Sequence, residues 1–134
     1  MAGVTMGKYG DVALKAVQRL QRARDMHPKD AWNEAALDVL PDSKSSRMKG
    51  CPKDAFLGLC AEGAINNIPA GNYSNSIKNR NYALAALSLV GNDTTLAKDK
   101  KLLWLKVQNG TKKQHNGQLD VVIALWENGL INRN

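Results

Sequence analysis

Four basic residues near the start of the chain have the spacing of one helix face. Lys8, Lys15, Arg19 and Arg22 are separated by seven, four and three positions. At about 100° per residue they fall within a sector of about 60°, away from the apolar stripe of the same helix. Such a row of cations could follow the phosphate backbone of a nucleic acid. The alternative is an ordinary solvated face, because charged stripes are common on exposed helices.

A second basic group surrounds the predicted start of another helix. In the segment 45–53, SSRMKGCPK, the residues Arg47, Lys49 and Lys53 lie around Gly50. A helix N-terminus carries unpaired N–H groups and partial positive charge, so it attracts anions. The sequence lacks the GxxxxGK[ST] spacing of a phosphate-binding loop. A capped loop with solvated lysines is therefore an equal alternative.

The third candidate is a ligand loop in the segment 67–82, NIPAGNYSNSIKNRNY. It contains Asn72, Tyr73, Asn75 and Arg80. Amides and aromatic rings together can stack on bases and hydrogen-bond to them, or to a small ligand. Asparagine is also the usual residue of turns and helix caps, and that interpretation is the stronger one for this segment.

Residues for catalysis or metal binding have no supporting pattern. His27 and His115 both lie in predicted loops, and neither belongs to an HExxH motif. With Cys51 and Cys60 they have the right types for zinc, but no paired CxxC or HxxxH element is present. Cys51 at a helix start would have a lowered thiol pKa, yet no partner is indicated. The sequence therefore predicts no catalytic residue, no metal and no cofactor, and favours a protein that is not an enzyme.

Hydrophobic periodicity places these candidates on helices. Strand patterns are nearly absent, whereas apolar residues recur at helical spacing between prolines and glycines that end helices. The predicted helices lie near residues 8–24, 29–40, 52–63, 76–90, 95–109 and 117–128. We therefore expect residues 1–134 to form a single, compact, all-α domain of five or six helices.

Two of the predicted helices are apolar on nearly every side, which is typical of buried helices. The fourth carries Leu84 and Leu87, and the sixth carries Val122, Ile123 and Trp126. We expect these five side chains to form the centre of the domain, with the first and second helices packed outside them.

Two stretches 66 positions apart resemble each other: 54–65, DAFLGLCAEGAI, and 120–131, DVVIALWENGLI. Gly63 and Gly129 occupy the position at which helices commonly end in a left-handed glycine. Asp54 and Asp120 fall near the first turn, where a negative charge favours the helix dipole. An internal duplication with two equivalent binding surfaces is the alternative. The flanking sequences do not align, which favours a shared way of ending a helix.

The net charge of +7, from 19 basic and 12 acidic residues, favours encounters with polyanions. The longest apolar run, at 82–90, is far shorter than the roughly 20 residues that a membrane span requires. The first residues also lack the apolar core of a signal peptide. We therefore expect a cytoplasmic protein without membrane association.

Several segments are similar to those of a known family: KGCPKDAFLGLCAEGAI, PAGNY, NRNYALAAL and DVVIALWENGLI. From about Lys8 to Ile131 the chain resembles an uncharacterised family of small bacterial proteins, a domain of unknown function. The resemblance implies a bacterial origin and a stand-alone domain. It implies no activity, cofactor or functional residue.

Three functional hypotheses follow. The first is a non-enzymatic module that binds nucleic acid or another polyanion through the first helix and the segment from Arg47 to Lys53. The second is a helical protein–protein interaction module, which could include self-association; the sequence indicates no oligomeric state. The third and least favoured is a small-molecule binder or enzyme, which requires a concave pocket beside Tyr73 and Arg80.

Overall fold

The computed structural model describes residues 7–74, 76–108 and 117–132. Within these ranges the chain is helical and contains no β-strand, so the predicted all-α class is confirmed. The single-turn α3 lies between the predicted helices 29–40 and 52–63, where the sequence analysis places no helix. The elements are α1 (Gly7–Arg22), α2 (Pro28–Val39), α3 (Lys44–Arg47), α4 (Gly50–Ala61), α5 (Ile77–Asn92), a 3₁₀ helix (Thr94–Lys98), α6 (Lys100–Gln108) and α7 (Gln118–Glu127).

The helices α4 and α7 lie at the centre of one continuous hydrophobic core. In each of them seven residues are buried, and α7 packs against α1, α4 and α5. The predicted burial of Val122 and Ile123 is confirmed, whereas Trp126 is only half-buried. The helix α1 also buries seven residues, so it belongs to the core and is not an outer layer.

The fourth predicted helix is observed as α5, and the expected burial of its two leucines is wrong. The observed α5 buries Ala83, Ala86 and Val90, while Leu84 and Leu87 are only half-buried. The reason is close packing: a Cβ atom on Gly58 of α4 would lie 2.6 Å from the Cβ of Arg80 on α5. Small residues let α5 approach its neighbours closely, and the leucines then lie at the margin of the core.

Both members of the repeated stretch end their helix with the same hydrogen bonds. Gly63 and Gly129 have φ values of 69° and 68°, in the left-handed region. The next residue then donates its N–H back into the helix, from Ala64 to the Leu59 carbonyl and from Leu130 to the Leu125 carbonyl, at 3.0 Å in each case. This is the Schellman arrangement. The helix-ending explanation of the repeat is therefore confirmed at both sites.

The two helix ends also pair with each other, which the sequence analysis did not foresee. Ile65 and Ile131 form an isolated antiparallel bridge. The Asn66 N–H donates to the Leu130 carbonyl, and the Asn132 N–H donates to the Ala64 carbonyl, both at 2.8 Å. These two bonds are related by the same offset of 66 positions, so the contact has local pseudo-two-fold symmetry. It fixes the start of the loop 64–76, which leads into α5.

None of the helices in the described ranges combines the length and the apolar character that crossing a bilayer demands.

Candidate anion-binding groove

An open groove lies where α2 and α4 begin and the loop 64–76 approaches α5. Its volume is about 580 Å³. It brings part of the basic segment 45–53 together with part of the predicted ligand loop, two stretches that the sequence treats as separate candidates. We call it the Lys53 groove. Its lining consists of Lys29, Met48, Gly50, Lys53, Asp54, Leu57, Tyr73, Ser74 and Ser76.

Two lysines give the groove its cationic character. Lys29 lies in the first turn of α2 and Lys53 in the first turn of α4, and neither forms an ion pair within the described residues. Burial lowers the pKa of Lys53, and the neighbouring charge of Lys29 lowers it further. Asp54 and Asp30 act in the opposite direction and more weakly. The Lys53 ammonium is therefore held where its charge is poorly compensated.

The carboxyl group of Asp54 belongs to a polar network beneath the groove. Burial raises the pKa of Asp54, while the charge of Lys53 and a hydrogen bond to Asn79 oppose that shift. The Asn79 side chain donates to Ser76 Oγ at 3.1 Å and accepts from Gln118 Nε2 at 3.2 Å. Gln118 is only 3% exposed. The network ties the beginnings of α4, α5 and α7 together.

The loop 64–76 supplies an aromatic wall. The hydroxyl of Tyr73 donates to the Pro69 carbonyl at 2.9 Å, and its ring meets His27 edge-on at 5.3 Å between centroids. The ring folds back over Gly71, where a Cβ atom would lie 2.6 Å from a ring carbon. A side chain at position 71 would therefore displace the Tyr73 ring from its place beside His27. Asn72 is exposed, and Asn75 lies outside the described residues.

The Lys53 groove is the first of three neighbouring depressions. A depression of about 190 Å³ lies on the other side of Tyr73 and is lined by Arg24, Met26 and Asn67 among others. We call the basic residues Lys8, Lys15, Arg19 and Arg22 the α1 stripe. A third depression, of about 310 Å³, shares Met26 with the second and is lined by three members of this stripe, Lys15, Arg19 and Arg22. Each depression shares a lining residue with the next. The three depressions therefore form a row beside basic residues of α4, α2 and α1, and we call this row the path.

The members of the α1 stripe differ in how they are held. Arg19 forms ion pairs with Glu34, at 3.1 Å, and with Asp38 on α2. Lys15 and Arg22 are exposed beside it. Lys8 lies at the far end of the helix, where it donates to Ser46 Oγ at 3.3 Å. The stripe thus contributes two exposed cations to the path, and one residue that joins α1 to α2.

Arg47, Lys49 and Arg80 do not line the Lys53 groove. Arg47 donates to the Leu40 and Pro41 carbonyls at 2.8 and 2.9 Å, and thereby stabilises the end of α2. Lys49 occupies the N-cap position of α4 without a side-chain cap. Arg80 lies across α4, with its Nε 3.6 Å from Glu62. The concave pocket sought beside Tyr73 and Arg80 thus forms with Tyr73 and without Arg80.

Sequence reasoning missed Lys29, Asp54 and Gln118 as residues of this site. The position of Lys29 directly after Pro28 at a helix start was a usable signal. Nothing in the sequence signals that this lysine lies in the same groove as Lys53, 24 positions later. Asp54 was interpreted only as a helix-dipole partner, because the repeat gave it the same role as Asp120.

The family model described as "Family of unknown function (DUF6979)" matches residues 6–132. The chain belongs to this family. The predicted membership is confirmed, while the bacterial origin that the resemblance implied stays a prediction. No curated protein and no solved structure matches the chain. Arguments about function in this family member therefore rest on the geometry of its own residues.

The cysteines and histidines do not gather around a common point in the described ranges. Cys60 is fully buried, and burial strongly raises the pKa of its thiol. Cys51 is half-buried in the first turn of α4. His115 lies outside the described residues. Within the described part of the chain, no three histidine, cysteine, aspartate or glutamate side chains are placed to hold a metal ion.

Proposed function

We propose that this protein is a non-enzymatic module that binds single-stranded nucleic acid along the path from the Lys53 groove to the α1 stripe. The observation that carries the proposal is the adjacency of three depressions, since each shares Tyr73 or Met26 with its neighbour as a lining residue. A polyanion needs a row of cations at intervals along a groove. Lys53, Lys29, Arg24 and Arg22 supply such a row.

The apolar lining of the path favours unpaired bases over a duplex. Met48 is 71% exposed at the edge of the Lys53 groove, and Tyr73 forms the wall between the first two depressions. Sequence-tolerant binding of single strands combines a basic groove with apolar and aromatic surfaces against which bases stack. Each such stacking contact contributes roughly 1–3 kcal/mol.

A phosphate in the Lys53 groove would also remove an electrostatic conflict in the free protein. Burial is the main cause of the lowered pKa of Lys53, and repulsion by the charge of Lys29 lowers it further. A bound phosphate oxygen would lie between two cations that have no ion-pair partner in the described residues. Asp54 also lines the groove, and its hydrogen bond to Asn79 uses part of its acceptor capacity.

The test is fluorescence anisotropy with a labelled single-stranded oligonucleotide of about 16 nucleotides, a length within the usual site sizes. With about four cations engaged, log K should fall against log salt with a slope of about −3. The double variant Lys29→Glu/Lys53→Glu should weaken binding by about tenfold or more at low salt. Lys98→Glu is the control, because Lys98 is exposed and lines none of the three depressions.

Two results would contradict the proposal. One is binding that does not respond to salt. The other is an equal loss of affinity in Lys98→Glu and in the single variant Lys53→Glu, which changes the net charge by the same amount, since that would trace the effect to net charge and not to the groove.

A second candidate function, self-association, is favoured by the surface of α6. Leu102 and Leu105, three positions apart, are 40% and 59% exposed. An exposed apolar pair on one helix face can contribute to an interface between copies. Light scattering over a range of concentrations would test it: a dimer that Leu105→Lys dissociates supports self-association, and a monomer at every concentration removes it.

A further inference from the structure

We propose that Lys53 is also a reactive amine, which condenses with a small anionic aldehyde or keto acid held in the Lys53 groove. The inference rests on the proposed function in one respect: Lys29 would hold the anionic group of the carbonyl compound, as it would hold a phosphate. The chemistry at Lys53 itself is separate from nucleic acid binding.

The position of Lys53 disfavours its protonated form for three structural reasons. It lies in the first turn of α4, where the positive end of the helix dipole repels a cation. It shares the groove with a second cation, Lys29. The groove also has apolar side chains, among them Leu57 at 4% exposure, which limit its solvation. A lysine that is desolvated beside another cation is the recognised arrangement for an amine nucleophile.

Asp54 is placed to transfer protons during the condensation. Asp54 follows Lys53 in α4, and both residues line the same groove. Burial raises the pKa of Asp54, so this carboxyl group holds a proton more readily than an exposed aspartate does. A carboxyl of this kind can act as a general acid and then as a general base.

The reaction is balanced without an oxidant or reductant. The neutral Nζ of Lys53 attacks the carbonyl carbon, the π pair of the C=O bond moves to oxygen, and one of the two nitrogen protons transfers to that oxygen. Asp54 then donates a proton to the resulting hydroxyl, and the nitrogen lone pair forms the C=N bond as water leaves, which gives a protonated imine. The second nitrogen proton passes to the Asp54 carboxylate and restores the acid. Amine plus carbonyl compound gives imine plus water.

The experiment uses the full chain with glyoxylate as an anionic aldehyde, acetaldehyde as its neutral counterpart, and cyanoborohydride to trap the imine. Peptide mass spectrometry then measures the labelling rate of each lysine. Near neutral pH we expect Lys53 to react with glyoxylate severalfold faster than exposed Lys98, because burial and the charge of Lys29 lower the pKa of Lys53. This advantage should shrink as the pH rises above the usual lysine pKa, where exposed lysines are neutral as well.

Two variants separate the contributions of the neighbouring groups. Lys29→Met should slow the labelling of Lys53 by both aldehydes, and more strongly by glyoxylate, because the variant removes both the repulsion and the anion-holding charge. Asp54→Asn should slow both reactions without changing the preference for glyoxylate. The comparison is made at a pH at which Lys53 is neutral in both proteins, because the Asp54 charge also raises the pKa of Lys53. The charged groups that act on Lys53 are Lys29, Asp54 and Asp30, so Asp30→Asn provides the remaining electrostatic comparison.

Labelling of Lys53 at the rate of Lys98 with both aldehydes would overturn the inference. Oligonucleotide binding without selective labelling would leave the proposed function standing and remove the reactive amine. Selective labelling without oligonucleotide binding would do the reverse.

Discussion

The helices α4 and α7 end alike and begin in different surroundings. At their ends, Gly63 and Gly129 have nearly the same φ, and the same hydrogen bonds close each helix. At its beginning, α7 is covered: Gly117 is buried, and a Cβ atom on it would lie 2.8 Å from the ring of Tyr9. The first residue of α4, Gly50, is exposed and lines the Lys53 groove.

The aspartates of the two stretches show the same contrast. Asp120 pairs with Lys100 at 2.8 Å and lies against Gly7, where a Cβ atom would come within 3.0 Å of the carboxylate. Asp54 is bonded to Asn79 and lines the groove. Residues that match in sequence therefore have a structural role in α7 and a place in the candidate site in α4. A helix end is specified locally, whereas the role of a helix start depends on what packs against it.

The largest expected effect tests the equivalence of the two helices in the core. Leu59 and Leu125 occupy matching positions, and both are fully buried. Leu59→Ala and Leu125→Ala should each lower the free energy of unfolding by about 3 kcal/mol, through lost burial and the cavity that remains. Urea denaturation measures both values. A difference of more than about 2 kcal/mol would show that one helix contributes far more to the core than its counterpart does.

The next effect tests the difference between the two beginnings. Gly117 has a φ of 94° and no room for a methyl group beside Tyr9. Gly117→Ala should therefore cost about 2–3 kcal/mol through backbone strain and crowding. Gly50→Ala is the matched control, since its nearest neighbour would be 3.6 Å away, and it should change stability by less than about 1 kcal/mol. Equal losses in thermal or urea unfolding would contradict the contrast between a covered and an open start.

A smaller effect tests the two ends. Gly63→Ala and Gly129→Ala should each cost about 1 kcal/mol, because alanine is disfavoured in the left-handed conformation. The loss should be slightly greater at Gly63, where the new methyl would meet Ala70 at 3.4 Å, than at Gly129, where the space is open. The urea midpoints of the two variants, compared at equal m values, measure the two losses of stability. A clearly greater loss at Gly129 would contradict the predicted order.

The smallest effect is the change in the free energy of unfolding when each aspartate is replaced by asparagine, and it has opposite signs at Asp54 and Asp120. Asp120→Asn removes a partly exposed ion pair and should cost less than about 1 kcal/mol. Asp54→Asn should be neutral or stabilising near neutral pH, because burial raises the pKa of Asp54 and so penalises its charge in the folded state. Its stability difference from the unmodified protein should shrink as the pH falls through the carboxyl range and Asp54 becomes protonated. A stability gain of Asp54→Asn that increases towards acid pH would contradict this prediction.

The helices were predictable because their signals are local. Pro28, Gly63 and Gly129 act within one turn of their own position, and the structure confirms helix boundaries near all three. The burial of Leu84 and Leu87 was predicted wrongly because α5 is apolar on several sides. Which side faces inward is decided by the crossing of Gly58 and Arg80.

The candidate site was predictable only in pieces. Lys53 and Tyr73 were identified separately, but their shared groove depends on how the loop 64–76 folds back over α4. The pairing of Arg19 with Glu34 and Asp38 is likewise a contact between two helices. Charge spacing along α1 predicts a stripe of cations, and it carries no information about which of them a neighbouring helix will neutralise.

The bridge between Ile65 and Ile131 gives the last described residues an influence over a region they do not touch. The Leu130 carbonyl and the Asn132 N–H hold the chain at residues 64 and 66, a few positions before Pro69 and Tyr73. Deleting residues 130–132 would remove these hydrogen bonds, and Tyr73 would no longer be held in one position. Ligand affinity at the groove would then fall although every groove-lining side chain was still present.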